Sequence, residues 1–90
     1  MNVYVLVSTW DTEDGFNSDV IGVFASAEKA RAVREESYKF DIESLGWITN
    51  ENDPNDYEFK VERNDALITV YSEHDYRYIT YCIYERIVEE

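Results

Sequence analysis

The last third of the chain constrains the fold most. "YEFKVER" (57–63) alternates: Tyr57, Phe59 and Val61 point one way, Glu58, Lys60 and Glu62 the other. That is the period of a half-buried strand. Asn64 and Asp65 form a turn pair, "ALITVYS" (66–72) is a further strand, and "EHD" turns again. "YRYITYCIYERIV" (76–88) is the final strand, with Ile79, Tyr81, Ile83 and Ile87 on one face and Tyr76, Tyr78, Cys82 and Tyr84 on the other. Three strands joined by short turns belong in an antiparallel sheet. Whatever precedes them has to cover or extend that sheet.

Two more strands come first. "NVYVLVST" (2–9) is apolar on both faces and reads as a central strand, and "DVIGVFAS" (19–26) follows it. Between them "WDTEDGFNSD" (10–19) reads as the loop of a long hairpin, with Gly15 at its turn. Ser26 is placed to cap a helix whose stripe is Ala27, Ala30, Val33 and Ser37. The helix continues through Ile42 and Leu45 to a stop at Gly46, with a kink near Phe40. Residues 49–56, "TNENDPND", have no apolar residue and form a loop. The expectation is an α+β single domain over residues 1–90. An antiparallel sheet of about five strands, in chain order β-β-α-β-β-β, carries one helix on one face.

Charge is the second constraint. Twenty acids against eight Lys and Arg give a net charge of −12. Residues 26–45 hold five acids and four bases, so they are nearly neutral; the remaining residues hold fifteen acids and four bases. Asp11, Glu13, Asp14 and Asp19 lie in one base-free stretch and Glu51, Asp53, Asp56 and Glu58 in another, with Glu73 and Asp75 in the last turn. Direct nucleic-acid binding is disfavoured, because it needs Lys and Arg to replace counterions. Anionic membrane surfaces are disfavoured for the same reason. Excess acid can serve solubility alone, but dispersed, mixed charge serves that better than clusters.

Chemistry finds little purchase. With Gly15 at position 6 of a calcium loop, positions 1 and 12 fall on Trp10 and Ile21, neither of them a ligand. In "NENDPND" Pro54 interrupts the ligand series. One Cys and one His do not make a zinc site. Cys82 falls in mid-strand and His74 in a turn, which suits a small buried hydrophobe and an exposed side chain. No metal, no cofactor and no enzymatic activity is expected. A lone cysteine agrees with a reducing, cytoplasmic setting, and no stretch reaches the roughly 18 apolar residues of a membrane span. Tyr57, Tyr71, Tyr76, Tyr78, Tyr81 and Tyr84 crowd the last three strands, as sheet packing or as an interface.

"VYVLVSTWDTEDG" followed by "VIGVFASAEKARA" resembles a small uncharacterised β-β-α domain of phage and bacterial proteins, over residues 3–32. The whole profile is similar in type to the small acidic anti-defence proteins of phages, the anti-CRISPR and anti-restriction inhibitors. What the resemblance implies is an inhibitor that occupies a basic nucleic-acid-binding surface of a host defence nuclease, a CRISPR effector or a restriction enzyme, as an acidic nucleic-acid mimic in the host cytoplasm. The clustered charge, not a motif of that class, singles out Asp11, Glu13, Asp14, Glu51, Asp53 and Asp56 as the contacting acids, with Glu73 and Asp75 next and Trp10 or Phe16 as anchor. The alternative is a non-enzymatic interaction module that homodimerises through its tyrosine-rich last strand.

Overall fold

The computed structural model describes residues 1–12, 15–74 and 76–89. Five strands form one antiparallel sheet: β1 (Asn2–Thr12), β2 (Gly15–Phe24), β3 (Lys60–Arg63), β4 (Leu67–Tyr71) and β5 (Tyr78–Ile87). The order across the sheet is β2-β1-β5-β4-β3, and the helix α1 (Ala27–Leu45) lies on one face. The α+β class and the chain order of elements agree with the sequence reading. Among the described residues no helix is long and apolar enough to cross a membrane.

One expectation needs correcting. The stretch 10–19 is mostly paired strand: Trp10 lies opposite Asn17, Asp11 opposite Phe16 and Thr12 opposite Gly15. Only Glu13 and Asp14 stand between the paired positions, and both lie outside the described residues. The acids suggested a loop, but Phe16, Ser18 and Val20 continue a period-2 alternation that cross-strand pairing can use. The last strand outruns one of its neighbours, because β4 pairs with it only from Tyr78 to Cys82. β5 pairs with β1 from Ile87 opposite Asn2 to Tyr78 opposite Asp11, and with β4 on its other side. Edge pairing with a second copy is therefore blocked along residues 78–83 and open at residues 84–87; the face away from the helix is open as well.

Register sorts the side chains. Leu6, Ser8 and Trp10 lie opposite Ile83, Tyr81 and Ile79, and Ile68 and Val70 continue that row on β4. This is the face under the helix. Leu6, Phe59, Ile68, Val70 and Tyr81 are wholly buried there. Each such aliphatic or aromatic side chain contributes about 1.5–3 kcal/mol of burial. β1 is central, as expected, but only one of its faces is covered; Val3, Val5 and Val7 on the other are half-exposed. β2 carries an extra residue, since Leu6 pairs with Gly22 and Val7 with Val20. This bulge leaves Ile21 unpaired and turns it toward the core.

Ser26 caps the helix, its Oγ accepting from the Lys29 amide at 3.1 Å, and Gly46 ends it at φ 69°, a conformation that favours glycine. The helix runs without interruption past Phe40. Its buried stripe is Ala30, Arg34, Tyr38 and Ile42, displaced from the expected Ala27, Ala30, Val33 and Ser37. The reason is Arg34, whose guanidinium donates to the carbonyls of Asn64 (3.3 Å) and Asp65 (2.8 Å). A charged side chain becomes a buried one by closing the β3–β4 turn.

Candidate partner-binding surface

The register brings three chain segments to one end of the sheet. Asp11 on β1 neighbours Tyr78 at the start of β5, Tyr78 neighbours Tyr71 at the end of β4, and Tyr71 neighbours Lys60 at the start of β3. The β1–β2 turn, the β4–β5 turn and the start of β3 therefore share an end. Of the expected contact residues, Asp11 and Glu73 are found there; Asp75, like Glu13 and Asp14, lies outside the described residues. Tyr76 beside that turn is 85% exposed and holds the left-handed conformation, φ 57°. A bulky residue adopts that conformation at a cost of about 1–2 kcal/mol.

Not all the expected acids are at liberty there. Glu51 lies at the opposite end of β3, where its carboxylate accepts from Nε and Nη2 of Arg63, both at 2.7 Å. Arg63 also donates to Glu35 on the helix and lies over the Tyr38 ring. These hydrogen bonds hold the Glu51 carboxyl below its ordinary range. Glu73 pairs with Lys60 at 3.5 Å. Glu58, in the second acidic stretch, pairs with Arg77 at 3.2 Å, and the Arg77 guanidinium lies over the stacked rings of Trp47 and Phe59. Asp53 accepts the amides of Asn55 and Asp56, both at 3.2 Å, which shapes its own loop. Arg34 lies 3.4 Å from Glu35, so among the described residues four cations, Arg34, Lys60, Arg63 and Arg77, are tied to carboxylates within the fold. Among the described residues Asp11, Asp19, Asp53 and Asp56 make no ion pair.

The two proposed anchors part company. Phe16 is 65% exposed on the face away from the helix, while Trp10 is half-buried on the helix face. Trp10 instead walls a groove of about 770 Å³ between the helix and the β1–β2 hairpin. Ile21, Phe40, Leu45 and Ile79 give the groove its apolar lining, with Ser8, Ser37 and Ser44 between them. Among the described residues three acids line it, Asp19, Glu36 and Asp41, and no base does. Asp41 is fixed in place by the Tyr81 hydroxyl, which donates to Oδ2 at 2.7 Å. Burial, with that bond, pushes the Tyr81 hydroxyl's pKa well up.

Sequence reasoning missed Glu36 and Asp41. A charge count along 26–45 gives near neutrality, but charge on a helix is distributed by angle rather than by total. The signal was present: none of the groove positions 36, 37, 40, 41, 44 and 45 is basic.

The face of the sheet away from the helix carries Val5, Val7, Val20, Val23, Cys82 and Tyr84, with charge only toward its margins at Asp11, Lys60, Glu62 and Arg86. No group of His, Cys, Asp and Glu able to hold a metal ion occurs among the described residues. Comparison with family models, with curated proteins and with solved structures finds no match to the chain.

Proposed function

We propose that the protein is a non-enzymatic inhibitor of the phage anti-defence type, which occupies a basic nucleic-acid-binding surface of a host nuclease such as a CRISPR effector or restriction enzyme. The observation that carries this reading is the imbalance left after internal pairing. The fold uses Arg34, Lys60, Arg63 and Arg77 for its own ion pairs, while Asp11, Asp19, Asp53 and Asp56 make none among the described residues. A net charge of −12 with these carboxylates unpaired steers a basic partner and repels nucleic acid. The phage setting, and with it the host cytoplasm, rests on the resemblance of residues 3–32. Glu51 drops out of the contacting set, because a bidentate arginine already satisfies it.

The test is a capture experiment from nuclease-treated host lysate, with bound proteins identified at low and at high salt. The expected result is a nucleic-acid-binding enzyme that salt releases and that added duplex displaces. A partner that resists salt and ignores added duplex overturns the reading.

Self-association is a second reading, favoured by the uncharged centre of the open sheet face. Copies that each carry a charge of −12 repel elsewhere but can meet at Val20, Val23 and Tyr84. Sedimentation at micromolar concentration decides it: a dimer dissociated by Val23→Asp supports this reading, and a monomer at all concentrations excludes it.

A further inference from the structure

We propose that the groove between α1 and the β1–β2 hairpin receives a short basic, amphipathic segment of the partner protein, a specification that rests on the acidic-surface reading above. The occupant follows from the lining. Phe40 is 70% exposed and Leu45 46% exposed on the helix, so two large apolar side chains stand at the groove partly open to solvent. A purely polar ligand would leave them as they are. The groove's charged residues are Asp19, Glu36 and Asp41, all negative, and an anionic or neutral apolar ligand would leave these carboxylates without a counter-charge. Only a segment with both arginine or lysine and an aliphatic or aromatic side chain satisfies both sets.

The walls come from different elements in a fixed relation. Asp19 lies opposite Ser8 on the hairpin, the β2 bulge brings Ile21 to the lining, and the Tyr81 hydroxyl positions Asp41 on the helix. The volume of about 770 Å³ falls within the range of pockets that hold a few side chains. The acidic loops and the groove thus divide the work. Loop carboxylates attract any basic surface, while the groove selects a cationic segment that also offers an apolar side chain.

The test uses two end-labelled synthetic peptides of equal length and charge. One alternates arginine with leucine and tryptophan, the other arginine with glycine and serine. Fluorescence anisotropy at moderate salt reads their binding to the full chain. The expected result is that the amphipathic peptide binds at least about tenfold more tightly. The double variant Phe40→Ser, Leu45→Ser should abolish that advantage and leave the glycine peptide unchanged. Both positions are exposed, and circular dichroism checks that the variant is folded. Glu36→Lys is the second variant and should weaken the amphipathic peptide more than Asp53→Lys does. Equal binding of both peptides, or an advantage that survives the double variant, overturns the groove and leaves the acidic-surface reading standing. Failure of both peptides to bind at low salt overturns the two together.

Discussion

Glu51 and Arg63 show how a residue's role depends on a partner the local sequence does not announce. Twelve positions separate them, and they meet because residues 48–50 run beside the start of β3, with Thr49 bridging Phe59 and Asn50 accepting the Val61 amide at 2.9 Å. A base-free acidic stretch in the sequence therefore includes one carboxylate that serves the fold. The sign of its pH dependence follows from the lowered pKa. The stabilisation is complete above the unfolded value of 4.5 and is lost as pH falls through the lower folded value. Glu51→Gln should cost about 1 kcal/mol at neutral pH, the pair being partly exposed, and denaturant midpoints should show wild type and variant converging in acid. Parallel curves at all pH values would remove Glu51 from the network. Tyr76 gives the opposite sign. Asparagine tolerates the left-handed conformation better, so Tyr76→Asn should raise stability by up to about 1 kcal/mol in urea denaturation. If the variant also weakens partner binding, the exposed ring belongs to the contact.

At the scale of elements, alternation and caps were legible. Ser26 and Gly46 bound the helix where their chemistry says, and the three C-terminal strands fall within the stretches that alternate. Strand order was not legible, because pairing β1 with β5 joins residues from opposite ends of the chain, and no local spacing encodes it. The hairpin was not legible at residues 10–18, because acids and a glycine resemble a loop, whereas the Phe16–Ser18–Val20 alternation carries the strand signal. Arg34 was hidden in the same way. An arginine on an amphipathic helix is expected at the surface, and only the meeting of α1 with the β3–β4 turn makes it a buried donor. Arg34→Met keeps most of the stem and leaves two carbonyls unpaired. It should lower stability by about 2 kcal/mol, with an unchanged dependence on denaturant. A neutral effect would mean that water replaces the guanidinium at that turn.

At the scale of the whole molecule, the candidate site was legible in total charge and not in geometry. Segment counts found the acidic stretches but averaged away Glu36 and Asp41, and they could not show which carboxylates the fold itself consumes. The residual charge has a consequence for stability. A chain of −12 repels itself, so thermal unfolding should shift upward by a few degrees as added salt shortens the screening length from about 30 Å to below 10 Å. No shift, or a fall, would mean that the ion pairs of Arg63, Arg77 and Lys60 outweigh the repulsion. The same charge bears on function. The most direct measurement is competition: a labelled DNA duplex is bound to the captured partner, and increasing protein is added at low salt while anisotropy is followed. The protein should displace the duplex, the triple variant Asp11→Lys, Asp53→Lys, Asp56→Lys should displace it at least about tenfold less well, and the difference should shrink as salt rises. Displacement by the triple variant equal to that by the wild type at low salt would contradict the claim that these carboxylates occupy a nucleic-acid-binding surface.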